Sequence, residues 1–260
     1  MTERRTLPAF AAGASVGTLG GLVGLGGAEF RLPLLLSLFG FAPLEAVILN
    51  RAMSLVVVTA ALPFRLVAVP WDAIAAEWST ILILLAGSLT GAWMGASWAT
   101  RLSGATFYRL IAVLLLAMAI ALLLGHGAHG NAPPLGSAAL AIAGVAAGFG
   151  IGVVASLLGV AGGELLIPTL LLLFGIDIKL AGSLSLAISL PTMLVGMARY
   201  ARTDAIRVLT RDRAFVLALA AGSVVGALVG ALLVGTVPES VLLPLDRKST
   251  RLNSSHGYIS

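Results

Sequence analysis

GVAGGELLIP, residues Gly159–Pro168, decides the fold, because a second version of it, GLGGAEFRLP, occupies Gly24–Pro33. Both read G-x-x-G-x-E-x-x-x-P, and both separate a Gly-rich apolar stretch from a second apolar one. Glycine lets the backbone leave helical geometry, and proline cannot continue a helical hydrogen-bond ladder. Between two apolar stretches the element therefore predicts a broken helix. Its glutamates, Glu29 and Glu164, add a titratable group in otherwise apolar surroundings.

Working outward, one offset of 135 residues, Gly24 to Gly159, aligns the halves of the chain without a gap. Gly13 and Gly17 fall on Gly148 and Gly152, Phe39 and Gly40 on Phe174 and Gly175, and Ser54 on Ser189. Further on, Gly87, Gly91 and Gly95 fall on Gly222, Gly226 and Gly230. Shared glycines, prolines and glutamates in one register indicate an internal duplication. Each copy reads as a Gly-rich segment (8–28 and 138–163), a short apolar one (32–42 and 165–176) and a longer helix (45–64 and 180–199). A Gly-zipper helix follows (78–99 and 214–235), and 105–124 closes the first copy. The expected domains are a first repeat over 8–124, a linker over 125–136 and a second repeat over 137–245. Residues 246–260, DRKSTRLNSSHGYIS, are polar, lack a helix period and resemble a translated vector tail, so they are set apart as non-native.

The class follows from composition. Hydrophobic residues make up 59% of the chain, charged residues only 10%, and the mean hydropathy is +1.05. A soluble domain carries about 25% charged residues, so this chain cannot cover itself with a hydrated surface. Apolar runs such as Ile111–Leu124 and Val216–Val234 recur, on the scale of the ~20 residues that cross a bilayer. Backbone in lipid must satisfy its own hydrogen bonds, which makes such runs helices, and the alternation of a membrane β-barrel is absent. The expected fold is an all-α polytopic bundle of about eight transmembrane helices with short re-entrant segments. A pI of 10.4 does not imply nucleic-acid binding, because the charges lie between helices rather than on one face. With no cysteine, disulfides and thiolate chemistry are excluded. Arg4 and Arg5 precede a stretch that looks like a signal peptide, but no cleavage site follows, so it reads as a retained helix.

Charge also suggests how the copies are inserted. Arg4/Arg5, Arg101/Arg109 and the cluster Arg199, Arg202, Arg207, Arg211 and Arg213 are expected on the cytoplasmic side. The loop around Trp71 and Asp72 is poor in arginine, yet it is the repeat partner of the Arg-rich 199–213 loop. Equivalent loops of opposite charge bias point to inverted repeats, an arrangement common in secondary transporters.

The two broken elements are the candidate substrate site. Freed amides and helix starts at such breaks can face an anion, and an acid at membrane depth is costly and usually functional. The candidate substrate-binding residues are Gly26, Gly27, Glu29, Asn50, Arg51, Ser54, Gly162, Gly163, Glu164, Ser185 and Ser189, with Glu29 and Glu164 as proton-coupling carboxylates. The plainer alternative for the glutamates is amide capping at an interfacial helix start. Arg51 can hold an anion or pair with Glu29, and Arg31 reads as an interfacial residue that snorkels to water. The glycine zippers are expected to pack helices, and Pro63 and Pro191 to kink the third segment of each copy.

Enzyme motifs fail on context. Gly13–Gly17 matches G-x-S-x-G around Ser15, but no strand precedes it. No P-loop is present. His126 and His129 lie in the linker with no third ligand nearby, so neither a metal nor a cofactor is expected.

The run GVAGGELLIPT (Gly159–Thr169), followed by AGSLS (Ala181–Ser185), resembles the glycine-rich elements of the sulfite exporter TauE/SafE family. Copy one is similar through GLGGAE (Gly24–Glu29), Pro33 and the Trp71–Asp72 pair, and the resemblance spans Phe10–Leu245. The glutamate after the paired glycines and the Asn50–Arg51 pair depart from the family's usual small residues. The resemblance implies a multi-pass permease of the bacterial inner membrane that exports sulfite, organosulfonates or related carboxylates, coupled to protons. Its partners would be membrane lipid, a small anion and protons, with self-association compatible and no nucleic acid. A channel or uptake permease is the nearest alternative; a membrane-embedded enzyme or a scaffold subunit is more distant.

Overall fold

A computed structural model describes residues 3–23, 27–68, 71–125 and 136–234. The chain forms α1 (Glu3–Val23), α2 (Ala28–Ser37), α3 (Pro43–Ala68), α4 (Trp71–Ala76), α5 (Trp78–Ala99) and α6 (Gly104–Gly125). The second half forms α7 (Ser137–Leu158), α8 (Gly163–Phe174), α9 (Ile178–Tyr200), a 3-10 turn (Asp204–Arg207), α10 (Val208–Arg211) and α11 (Arg213–Val234). No strand occurs among the described residues. Five described helices, α3, α5, α7, α9 and α11, are long and apolar enough to cross a membrane. The linker histidines, Gly26 and the polar tail lie outside the described residues.

Glycine decides which helices touch. On α1, a Cβ at Gly13 would strike Leu219 and Ser223 of α11, and one at Gly17 would strike Ser223 and Ala227. From α11, Gly222 and Gly226 meet Phe10, Ala14 and Thr18 of α1. The pair α5 and α7 repeats these contacts position for position, with Gly148 on Leu84, Gly152 on Ser88 and Ala92, and Gly87 on Val145 and Phe149. Small residues let backbones approach this closely. The zippers thus join the copies crosswise: the first helix of each packs on the fifth of the other. The G-x-S-x-G match at Gly13–Gly17 is part of this packing. Contacting residue numbers rise together, so each pair is parallel.

Two end clusters fix the remaining directions. Ile74 of α4, Ile81 of α5, and Ile176 and Ala181 around the start of α9 share one apolar cluster. At the opposite end the starts of α3 and α11 meet. There Phe215 packs edge-on against Phe39 at 4.8 Å and lies 5.1 Å from Phe41, and Arg211 pairs with Glu45 at 3.0 Å. Helix α3 leads from this second end to α4, and α9 leads from the first end back to the turn before α11. Equivalent helices of the two copies therefore run in opposite directions, as the loop charges suggest.

Candidate functional site

Two short helices carry the duplicated glutamates. Helix α2 starts just after Gly27 (φ 69°) and α8 just after Gly162 (φ 84°). This left-handed backbone costs an ordinary L residue about 1–2 kcal/mol, so glycine makes the turn. The capping glycines carry no side chain, and at α8 the Glu164 carboxyl itself accepts from the backbone amides of Gly162 and Glu164. The break falls at the glycines; Pro33 and Pro168 lie inside α2 and α8. Each proline instead withdraws one hydrogen bond from the carbonyl four residues earlier, that of Glu29 or Glu164.

Glu29 and Glu164 sit in the first turns of α2 and α8, where the helix dipole favours negative charge. They also meet, the carboxyl of Glu164 facing that of Glu29. Glu164 is 1% exposed, and both Glu29 carboxyl oxygens are buried. Among the described residues, neither Glu29 oxygen nor Glu164 Oε2 takes a hydrogen bond of ordinary geometry. Two ionised carboxylates have no donor to offer one another. Arg31 lies within electrostatic reach of Glu29 and is only 1% exposed. It does not snorkel, because α2 turns Ala28, Arg31, Leu32 and Leu35 inward.

One hydroxyl of α9, that of Ser185, lies beside the start of α8. Ser185 Oγ lies 3.8 Å from the position a Cβ on Gly163 would take, and it donates to the Gly182 carbonyl at 2.8 Å. The hydroxyls of Ser183 and Ser189 are buried with no hydrogen-bond partner among the described residues.

Asn50, Arg51 and Ser54 do different work. Helix α7 ends at Gly159, whose φ is 68° and whose missing Cβ makes room for the Val47 carbonyl. A helix end leaves carbonyls without intrahelical partners, and this end is buried, so side chains supply the donors. Asn50 Nδ2 donates to Leu158 at 3.0 Å and to Ala28 at 3.1 Å, tying the end of α7 to the start of α2. Ser54 Oγ reaches the Gly159 carbonyl at 3.4 Å, and Tyr200 Oη donates to Ser156 at 2.8 Å. Arg51, fully buried, donates to the carbonyls of Ala155 at 2.8 Å and Met193 at 3.3 Å. Its guanidinium lies 5.7 Å from the Tyr200 ring centroid, in space left by Gly196. The cation thus sits at the negative end of the α7 dipole, and among the described residues it donates to carbonyls rather than to Glu29.

Sequence reading missed Tyr200, Ser156 and the Ser88–Thr192 hydrogen bond, 2.8 Å long, that joins α5 to α9. A tyrosine before an Arg-rich loop reads as an interfacial residue, and serines inside a glycine zipper read as packing.

Broken helices from two inverted copies, meeting at their acidic starts, are a transporter architecture. The sequence profile described as "Sulfite exporter TauE/SafE" matches residues 6–245. The chain belongs to the TauE/SafE family. No curated protein and no solved structure matches it. As a TauE/SafE member it is a multi-pass membrane permease of an anion-exporting family. It works in lipid on a small molecule, and it is not an enzyme.

Proposed function

We propose that this TauE/SafE chain is a secondary exporter of small anions, of the sulfite, organosulfonate or related carboxylate class. We place it in the bacterial inner membrane and assign proton coupling to Glu29 and Glu164. The observation that carries the reading is the meeting of these two buried carboxyls in the first turns of α2 and α8. Amides at a helix start attract an anion, and the Ser185 hydroxyl beside Gly163 offers a further donor. Two neighbouring carboxylates in low dielectric repel each other, and a proton on the pair relieves that cost. Each such proton also removes negative charge from beside the amides, so proton and anion occupancy are linked. In this reading Gly27, Gly162 and Gly163 hold backbone near the anion, while Asn50, Arg51 and Ser54 shape the site from behind.

The test is efflux from proteoliposomes with a panel of sulfur oxyanions and carboxylates at several pH values. Glu29→Gln and Glu164→Gln should each remove the dependence of efflux on the proton gradient. An unchanged pH profile in both variants sinks the coupling assignment. Failure of every anion in the panel sinks the substrate class.

A further inference from the structure

Away from the glutamates, α5 and α9 end together in a cationic group. The guanidinium of Arg202 lies 5.1 Å from the Trp93 ring centroid, and that of Arg199 lies 5.9 Å from the same ring. Arg199 Nε donates to Ser97 Oγ at 2.8 Å, which fixes its planar head and leaves its terminal nitrogens without a hydrogen-bond partner among the described residues. Each guanidinium is attracted to the indole face, but the two like charges repel one another, and an anion between them relieves that repulsion. Among the described residues no carboxylate does so: the ion pairs found there involve Arg207 with Asp204, and Arg211 with Glu45 and Asp212.

Position says which anion fits. Ser97 and Arg199 lie near the ends of two membrane-crossing helices, Trp78–Ala99 and Leu180–Tyr200, so the cations sit at headgroup depth. Directly along α5, Trp93, Met94 and Trp98 are exposed. Aromatic residues favour this interfacial level, and basic sites between transmembrane helices suit anionic headgroups. A soluble oxyanion would use the guanidiniums alone. A phospholipid would use the apolar strip as well, with its acyl chains along α5.

We propose that Arg199, Arg202 and Trp93 form a binding site for one anionic phospholipid, the two guanidiniums on its phosphate and the Trp93–Trp98 strip against its chains. The test is native mass spectrometry of the full chain released from nanodiscs of phosphatidylglycerol mixed with phosphatidylcholine. The wild type should retain phosphatidylglycerol in preference. R199Q and R202Q should each lower that preference about fivefold, and together about thirtyfold, from the typical pull of one arginine at a membrane surface. R207Q, on the same rim but paired with Asp204, should leave it unchanged, and R199K/R202K should keep part of it. An R199Q/R202Q protein that retains phosphatidylglycerol like the wild type overturns the site. Displacement of the lipid by millimolar sulfate also overturns it, assigning the arginines to a soluble oxyanion.

Discussion

At the residue scale, the two buried arginines of copy one show what a charge costs and how it is accommodated. Arg31 and Arg51 both have leucine at the repeat-equivalent position, Leu166 and Leu186, so neither is demanded by the shared fold. Arg51 meets carbonyls at a helix end. The Ala155 carbonyl also accepts from the Gly159 amide, and it keeps that donor without Arg51. A buried cation without an ion-pair partner carries a desolvation cost that an apolar residue of similar size does not. Arg51→Leu is therefore expected to fold and to transport with an unchanged KM for the anion. A large rise in KM would put Arg51 in direct contact with substrate. Asn50→Leu and Tyr200→Phe should be worse for stability, because the carbonyls of Leu158 and Ser156 then lose their side-chain donors. About 1–3 kcal/mol each is the usual cost of such an orphan, read as a lower thermal midpoint in detergent. Sequence singled out Asn50, Arg51 and Ser54 as candidates for the site, and all three are buried. It could not show what they face, since their partners lie about a hundred residues away on α7.

At the element scale, breaks and zippers were legible because glycine leaves a pattern at fixed spacing. The Gly-zipper helix expected over 78–99 has those bounds in the structure, and the one expected over 214–235 runs Arg213–Val234. Partner choice was not legible. Small-residue spacing says that backbones approach, yet carries no label for the helix that approaches. The interface makes a sharp contrast within α7. A side chain at Gly152 meets the Ser88 and Ala92 backbone, whereas a Cβ at Gly150 meets nothing within 4 Å. Gly152→Leu should push α5 and α7 apart and destabilise by at least the 1–3 kcal/mol typical of overpacking. Gly150→Ala should be neutral or slightly stabilising, as alanine is about 1 kcal/mol better than glycine in a helix interior. Thermal unfolding of the two variants side by side decides it; equal midpoints would contradict the packing described.

At the scale of the whole molecule, the charge bias of the loops and the directions of the helices agree. The absence of native cysteine makes the arrangement directly measurable. Single cysteines at Ala75 and Arg207, both exposed, should react with an impermeant maleimide from opposite sides of the membrane. Labelling from one side would overturn the inverted arrangement. What no sequence pattern announced is that the copies exchange helices. Neither half holds the partner of its own first helix: α1 needs α11, and α7 needs α5. The order of synthesis then matters. Helix α7 emerges after its partner has been made, but α1 enters the bilayer with its glycine face uncovered and waits through nearly two hundred residues of translation for α11. A nascent chain halted after α6 should therefore hold α1 only loosely, open to cross-linking by lipid or by the insertion machinery, and that reactivity should vanish once α11 has joined it.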